Sequence, residues 1–153
     1  MLRLVSDARQ PVILLEERVE RRFLGRTEIA RFITRSVTPF PSPARLVVRH
    51  TGNRKRTGVE VRNLDGGETA AAVARLLEGR AEFVEAVLPL DFKRFEISHD
   101  GEAWVTSIEL MGATYVKIDF PAMRSYVRLY PDQREALLAT LSVVDSVMAA
   151  PET

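Results

Sequence analysis

Cysteine is absent from this chain, which excludes disulfides, thiol chemistry and any metal site built on thiolates. Histidine is nearly absent: His50 and His99 stand alone, with no His-x-x-x-His spacing and no carboxylate cluster beside either, so the usual metal pattern is missing. Long apolar runs are missing too. The longest early one, Val12 to Leu15, stops at Glu16 and Glu17, far short of the ~18 residues of a membrane span. The N-terminus lacks the apolar region of a secretory signal. No membrane span is therefore expected, and a cytoplasmic location is the default. There is no Gly-x-Ser-x-Gly elbow. Gly66-Gly67-Glu68-Thr69 precedes a predicted helix but has neither the glycine spacing nor the lysine of a phosphate loop, so it reads as a turn and cap. Nothing calls for a cofactor, and repeats and low-complexity tracts are absent.

What remains is an ordinary globular composition. The 153 residues are 46% apolar and 28% charged, which fits one domain, residues 1–153, with a single core. The net charge of +1 conceals an asymmetry, +8 over residues 1–62 and −7 over residues 63–153. Either the basic half awaits an acidic partner or the two halves pack together and neutralise each other.

The last third is the most legible. Residues 92–98 alternate, and Asp100-Gly101 follows as a tight hairpin turn. That turn sets Ile97 opposite Trp104 and Phe95 opposite Thr106. Residues 103–110 place Trp104, Thr106, Ile108 and Leu110 on one face. Met111-Gly112-Ala113 reads as the next turn, leading into residues 114–120 with Val116 opposite Ile108. Pro121-Ala122 turns the chain into residues 123–130, with Val116 opposite Val127 and Asp119 opposite Arg124. The result is an antiparallel meander, closed by a helix over 132–149. That helix starts at an Asp132…Glu135 capping box and carries an apolar stripe of Leu137, Leu141, Val144 and Met148.

Upstream, residues 44–62 read as a β-hairpin around the polar loop 50–58, and short helices are expected at 68–78, stopped by Gly79, and 81–88, ended by Pro89. Val12, Leu15, Val19 and Phe23 fit helical spacing, so an N-terminal helical segment is expected, with a strand over 12–16 as its rival and a second helix starting at Thr27-Glu28. The fold class is α+β.

The segments Leu88-Pro89-Leu90-Asp91-Phe92-Lys93-Arg94-Phe95-Glu96 and Asp100-Gly101-Glu102-Ala103-Trp104 are similar to a pattern found in an uncharacterised bacterial protein family. Arg124-Ser125-Tyr126-Val127-Arg128-Leu129 and Gln133 to Thr140 extend the likeness. It covers mainly residues 88–150. The resemblance implies a bacterial origin and supplies neither an activity nor site residues.

Two features point to binding. Arg49, Arg54, Lys55 and Arg56 cluster around the hairpin loop, where cations can follow a phosphate backbone; the ordinary alternative is a solvated loop tip. Tyr115, Lys117, Tyr126, Arg128 and Tyr130 interleave aromatic and basic side chains on the outer face of the meander, as sheets that bind single-stranded nucleic acid do. Plain cross-strand pairing is the alternative there, and Asp119, Glu109 and Glu96 are expected on the same face, where they would repel phosphates. His50 and His99 are expected to be solvated, and Asp91 to serve a turn or cap. The leading expectation is a non-enzymatic binding domain, with nucleic acid or another polyanion as ligand. A protein-interaction or homo-oligomeric module using the sheet face or edge comes second, and an enzyme third, for want of a catalytic constellation.

Overall fold

The computed structural model describes residues 2–4, 12–38, 40, 43–119 and 122–149. Along them run β1 (Leu2–Leu4), β2 (Ile13–Arg22), β3 (Gly25–Val37), β4 (Ala44–Thr51), β5 (Gly58–Asp65), α1 (Glu68–Glu78), α2 (Ala81–Val87), β6 (Phe92–His99), β7 (Ala103–Asp119), β8 (Ala122–Val127) and α3 (Pro131–Ala149). The strands form one antiparallel sheet in the order β1-β2-β3-β7-β6-β4-β5, and β8 adds to β7. The α+β class, the hairpin at 44–62, the two short helices and the C-terminal helix match expectation. Among the described residues, no helix is long and apolar enough to cross a membrane.

The core lies between one face of the sheet and the helices. Leu46, Val48, Phe95, Ile97, Trp104, Ile108 and Leu110 meet Ala70, Leu77, Phe83, Val87, Leu137, Leu141, Val144 and Met148 in one buried cluster. The stripe read from the sequence of α3 is thus its buried face. The helix begins at Pro131, one residue before the expected 132, so Asp132 lies in its first turn and is not the N-cap; the fixed φ of Pro131 suits a first turn. Gln133 bonds outward instead, accepting from the Asp91 N–H at 2.7 Å and donating to the Pro89 carbonyl at 2.7 Å.

The N-terminal helical segment is not supported. Residues 13–22 and 25–37 are the paired strands β2 and β3, with Arg22 opposite Gly25 around a Phe23-Leu24 turn. The residues that suggested a helical stripe do not share a buried face: Phe23 is 98% exposed and Val19 46%. Period two wins because β3 finds its second partner in β7, about eighty residues downstream in sequence, and no local pattern announces such a partner. Gly25 is required there: a Cβ would lie 2.1 Å from the Lys117 carbonyl oxygen of β7.

The expected turn at Met111-Gly112-Ala113 is not a turn between strands. β7 runs through it as one strand, because β3 spans the site and pairs with both halves, Arg31 opposite Glu109 and Ile29 opposite Thr114. Between these pairs one residue of β3, Ala30, thus faces four of β7, residues 110–113, a large bulge that bends the sheet. The Met111 N–H bonds to the Asp91 carbonyl at 2.9 Å, holding the bend to the start of β6. Val116 therefore lies opposite Thr27 and Ser125, not Ile108 and Val127.

The two hairpins flanking this bend exist, each with its register moved by two; within each hairpin the same residues still share a face, but the bend puts Tyr115 and Lys117 on the side of the sheet opposite to the expected one. His99, not Ile97, faces Trp104. Gly101 takes φ +99° as the first central residue of the turn, and the Asp100 carboxylate accepts from the N–H groups of Glu102 and Ala103, both at 2.9 Å. At the other hairpin Asp119 pairs with Ala122, and Phe120 and Pro121 lie outside the described residues.

Candidate nucleic-acid interface

The bend in β7 decides which side chains share a face. Residues directly opposite in a ladder project to the same side. Glu109 and Thr114 oppose Arg31 and Ile29, which share the face of β3 opposite to that of Phe32 and Thr34; Ile29 is buried there. Alternation then sends Tyr115 and Lys117 to the other side, the side on which Phe32 and Thr34 enter the core. Beyond the bend, β2, β3, β7 and β8 continue as a four-stranded arm.

Two rows cross that arm. Val19, Glu28, Tyr115 and Tyr126 stand opposite one another in turn, and so do Arg21, Arg26, Lys117 and Arg124. The second row puts four cations side by side over three strand spacings, about 14 Å. Like charges directly opposite are unfavourable. Two of them have acids within reach on the same face: Arg26 Nε lies 3.3 Å from Glu28 and Lys117 Nζ 3.7 Å from Asp119. Arg21 and Arg124, at the ends, have no ion pair among the described residues. Tyr126 is 64% exposed.

The expected sheet-face set is thus partly assembled. Tyr115, Lys117 and Tyr126 share the face, whereas Arg128 and Tyr130 fall beyond the end of β8, which stops at Val127. Arg21, Arg26 and Arg124 join it, and the first two were hidden by the helical reading of the N-terminus. Of the acids expected to repel a phosphate, only Asp119 is there. Glu109 and Glu96 lie on the opposite face, where Glu96 pairs with Arg45 at 2.7 Å.

Glu109 is fully buried. Both its oxygens accept from Arg18 at 2.7 Å, and Oε1 also accepts from Arg31 Nη2 at 3.0 Å. Burial pushes its carboxyl up, but the bonds and charges of Arg18 and Arg31 together outweigh that and hold it below the ordinary carboxylate value. No local pattern announces this cluster, since Arg31 and Arg18 lie 78 and 91 residues from Glu109.

The basic loop is less free than its composition suggests. Arg56 bonds to the Asp91 carboxylate and to the Leu88 carbonyl, so Asp91 is an ion-pair partner rather than a cap. Arg54 and Lys55 are exposed at the tip, and Arg49 lies on β4 at an open cleft of about 330 Å³ between β4 and β6. Neither histidine is simply solvated. His99 is 3% exposed; its Nδ1 accepts from the Gly101 N–H at 2.8 Å, so Nε2 carries the proton donated to the Thr38 carbonyl at 2.6 Å. His50 Nε2 donates to the Val87 carbonyl at 2.9 Å and its ring stacks on Phe92 at 4.5 Å. Among the described residues no group of three His, Asp or Glu side chains is arranged to hold a metal ion.

A family model described as a protein of unknown function (DUF3156) matches residues 1–148. The chain belongs to that family, and the match extends well upstream of the resemblance seen near residues 88–150. No curated protein and no solved structure matches the chain.

Proposed function

We propose that this member of the DUF3156 family is a binding domain for an extended polyanion, with single-stranded nucleic acid as the ligand class, and that the arm formed by β2, β3, β7 and β8 is its binding surface. The observation that carries this is the row Arg21, Arg26, Lys117 and Arg124, beside the Tyr115–Tyr126 pair. A run of cations in register destabilises the free sheet and is relieved by an anion of matching length. The tyrosines offer the stacking surface a base needs. Each phosphate contact releases counterions and steepens the salt dependence of binding.

Titration with single- and double-stranded oligonucleotides tests this. Arg21→Gln with Arg124→Gln flattens the log–log salt slope by about 0.7 per lost contact. Tyr126→Ala weakens single-strand binding by about 1–3 kcal/mol with little change in slope. Arg54→Gln with Lys55→Gln leaves both unchanged; a flattened slope in that variant assigns binding to the β4–β5 loop instead. Association weaker than ~100 μM at about 50 mM salt removes the nucleic-acid reading.

A second reading, self-association, is favoured by β8, whose outer edge has no partner among the described strands. Antiparallel pairing of two copies about Ser125 sets Met123 against Val127 and Arg124 against Tyr126, apolar and cation–aromatic pairs respectively. Sedimentation equilibrium showing monomer at all concentrations eliminates it.

A further inference from the structure

β4 and β6 are neighbours over only part of their length. Their ladder runs from Ala44 opposite His99 to Val47 opposite Glu96 and ends there, although both strands continue. Extended by alternation, the same register would place Arg49 opposite Arg94. Both point away from the core, since Leu46, Val48, Phe95 and Ile97 occupy the buried positions between them. Two guanidinium groups directly across a ladder repel, and at that point the strands part into the cleft of about 330 Å³.

Each arginine has also lost its natural partner. Arg49 stands opposite Glu60, but Glu60 is bound by Arg62 at 3.1 Å. Arg94 stands opposite Glu109, whose oxygens are taken by Arg18 and Arg31. Lys93, also in the cleft wall, reaches Glu20 at 3.1 Å, and Glu96 is held by Arg45. Neither Arg49 nor Arg94 has an ion pair among the described residues. On the core side the fork is floored by the His50–Phe92 stack. The cleft is therefore an open depression, lined on its core side by that stack and flanked by two cations without an ion pair among the described residues.

We infer that the fork between β4 and β6 is a binding site for a compact oxyanion, a phosphate group, gripped between Arg49 and Arg94. Guanidinium groups suit this ligand because their planar forks donate paired hydrogen bonds to phosphate oxygens. A dianion between them turns their mutual repulsion into attraction. The site lies apart from the arm, so it fails or stands independently of binding there.

Thermal unfolding of the full chain in inorganic phosphate, against sodium chloride and sodium acetate at matched ionic strength, tests the site. Phosphate raises Tm saturably, by about 3–6 °C at ten times Kd; chloride and acetate do not. Arg49→Gln and Arg94→Gln each weaken phosphate binding at least tenfold by calorimetric titration. In phosphate-free buffer each variant is as stable as the parent or more so, because repulsion is relieved, and the order reverses in phosphate. Arg124→Gln leaves the phosphate effect intact. A phosphate shift no larger than that of chloride or acetate overturns the site, as does an equal shift in both fork variants.

Discussion

Trp104 shows what a single side chain contributes. It is 3% exposed, with Phe40 edge-on at 4.8 Å and His99 at 5.0 Å. Trp104→Ala removes the ring from a packed aromatic cluster, and the expected loss is about 3–5 kcal/mol. Chemical denaturation measures it, and a variant as stable as the parent would contradict the core assignment. Glu109→Gln removes a buried carboxylate and leaves Arg18 and Arg31 facing a neutral amide. A loss of about 2–3 kcal/mol is expected, at the lower end for a broken buried pair because the arginines are partly hydrated. The double variant Arg18→Met with Glu109→Leu should recover part of it, which separates the stranded charge from the net value of the pair.

At the scale of elements, β3 is the strand on which the sheet depends, since it joins β2 to both halves of β7. Gly25→Ala drives a methyl group against the β7 backbone, so a loss of about 1–3 kcal/mol is expected. Amides near Gly25 and Ile118 should lose hydrogen-exchange protection before those near Phe32 and Ile108. This strand also marks where the sequence stops being readable. The elements from β4 to β6 and α3 follow from alternation, turn residues and an apolar stripe, all local signals. β2 and β3 do not, because their charged faces satisfy partners far along the chain, such as Glu109 for Arg18. The turn assigned to Met111-Gly112-Ala113 failed for the same reason: glycine beside small residues marks a bulge as readily as a turn, and only β3 distinguishes them. Of the proposed binding face, Tyr115, Lys117 and Tyr126 were legible in the sequence. Its other half came from β2 and β3, and its freedom from Glu109 and Glu96 came from the bend.

For the whole molecule, the charge asymmetry is met in part by internal pairing. Arg18 and Arg31 meet Glu109, Arg35 meets Asp100 and Glu102, Arg45 meets Glu96 and Arg56 meets Asp91, each joining the basic half to the acidic one. Acid should therefore weaken the fold. Asp100 is held at about 2, against 3.8, by the N–H groups of Ala103 and Glu102, with Arg35 adding to them. A depressed carboxylate contributes stability that is present above its unfolded value and is lost as pH falls through the folded one. For Asp100 that window runs from 3.8 down to about 2, and Glu109 acts with the same sign below 4.5. Asp145, raised by burial, acts oppositely and favours the fold at low pH. Urea midpoints should hold steady near neutrality and fall below about pH 4–5, with a shallower fall in Asp100→Asn. A midpoint that rises on acidification would show Asp145 to dominate.

The pairing of β3 with β7 also sets an order of events on the ribosome. β2 and β3 are made first, with the +8 half of the chain. Their ladder partner and the carboxylate of Glu109 arrive only after residue 102. At ordinary elongation rates, making residues 63–109 takes roughly 2–10 s. Throughout that interval the nascent chain exposes an unpaired strand edge and uncompensated guanidinium groups beside ribosomal RNA. The sheet cannot close from its N-terminal side before β7 emerges, and truncation before β7 should yield a chain that adheres to polyanions without folding.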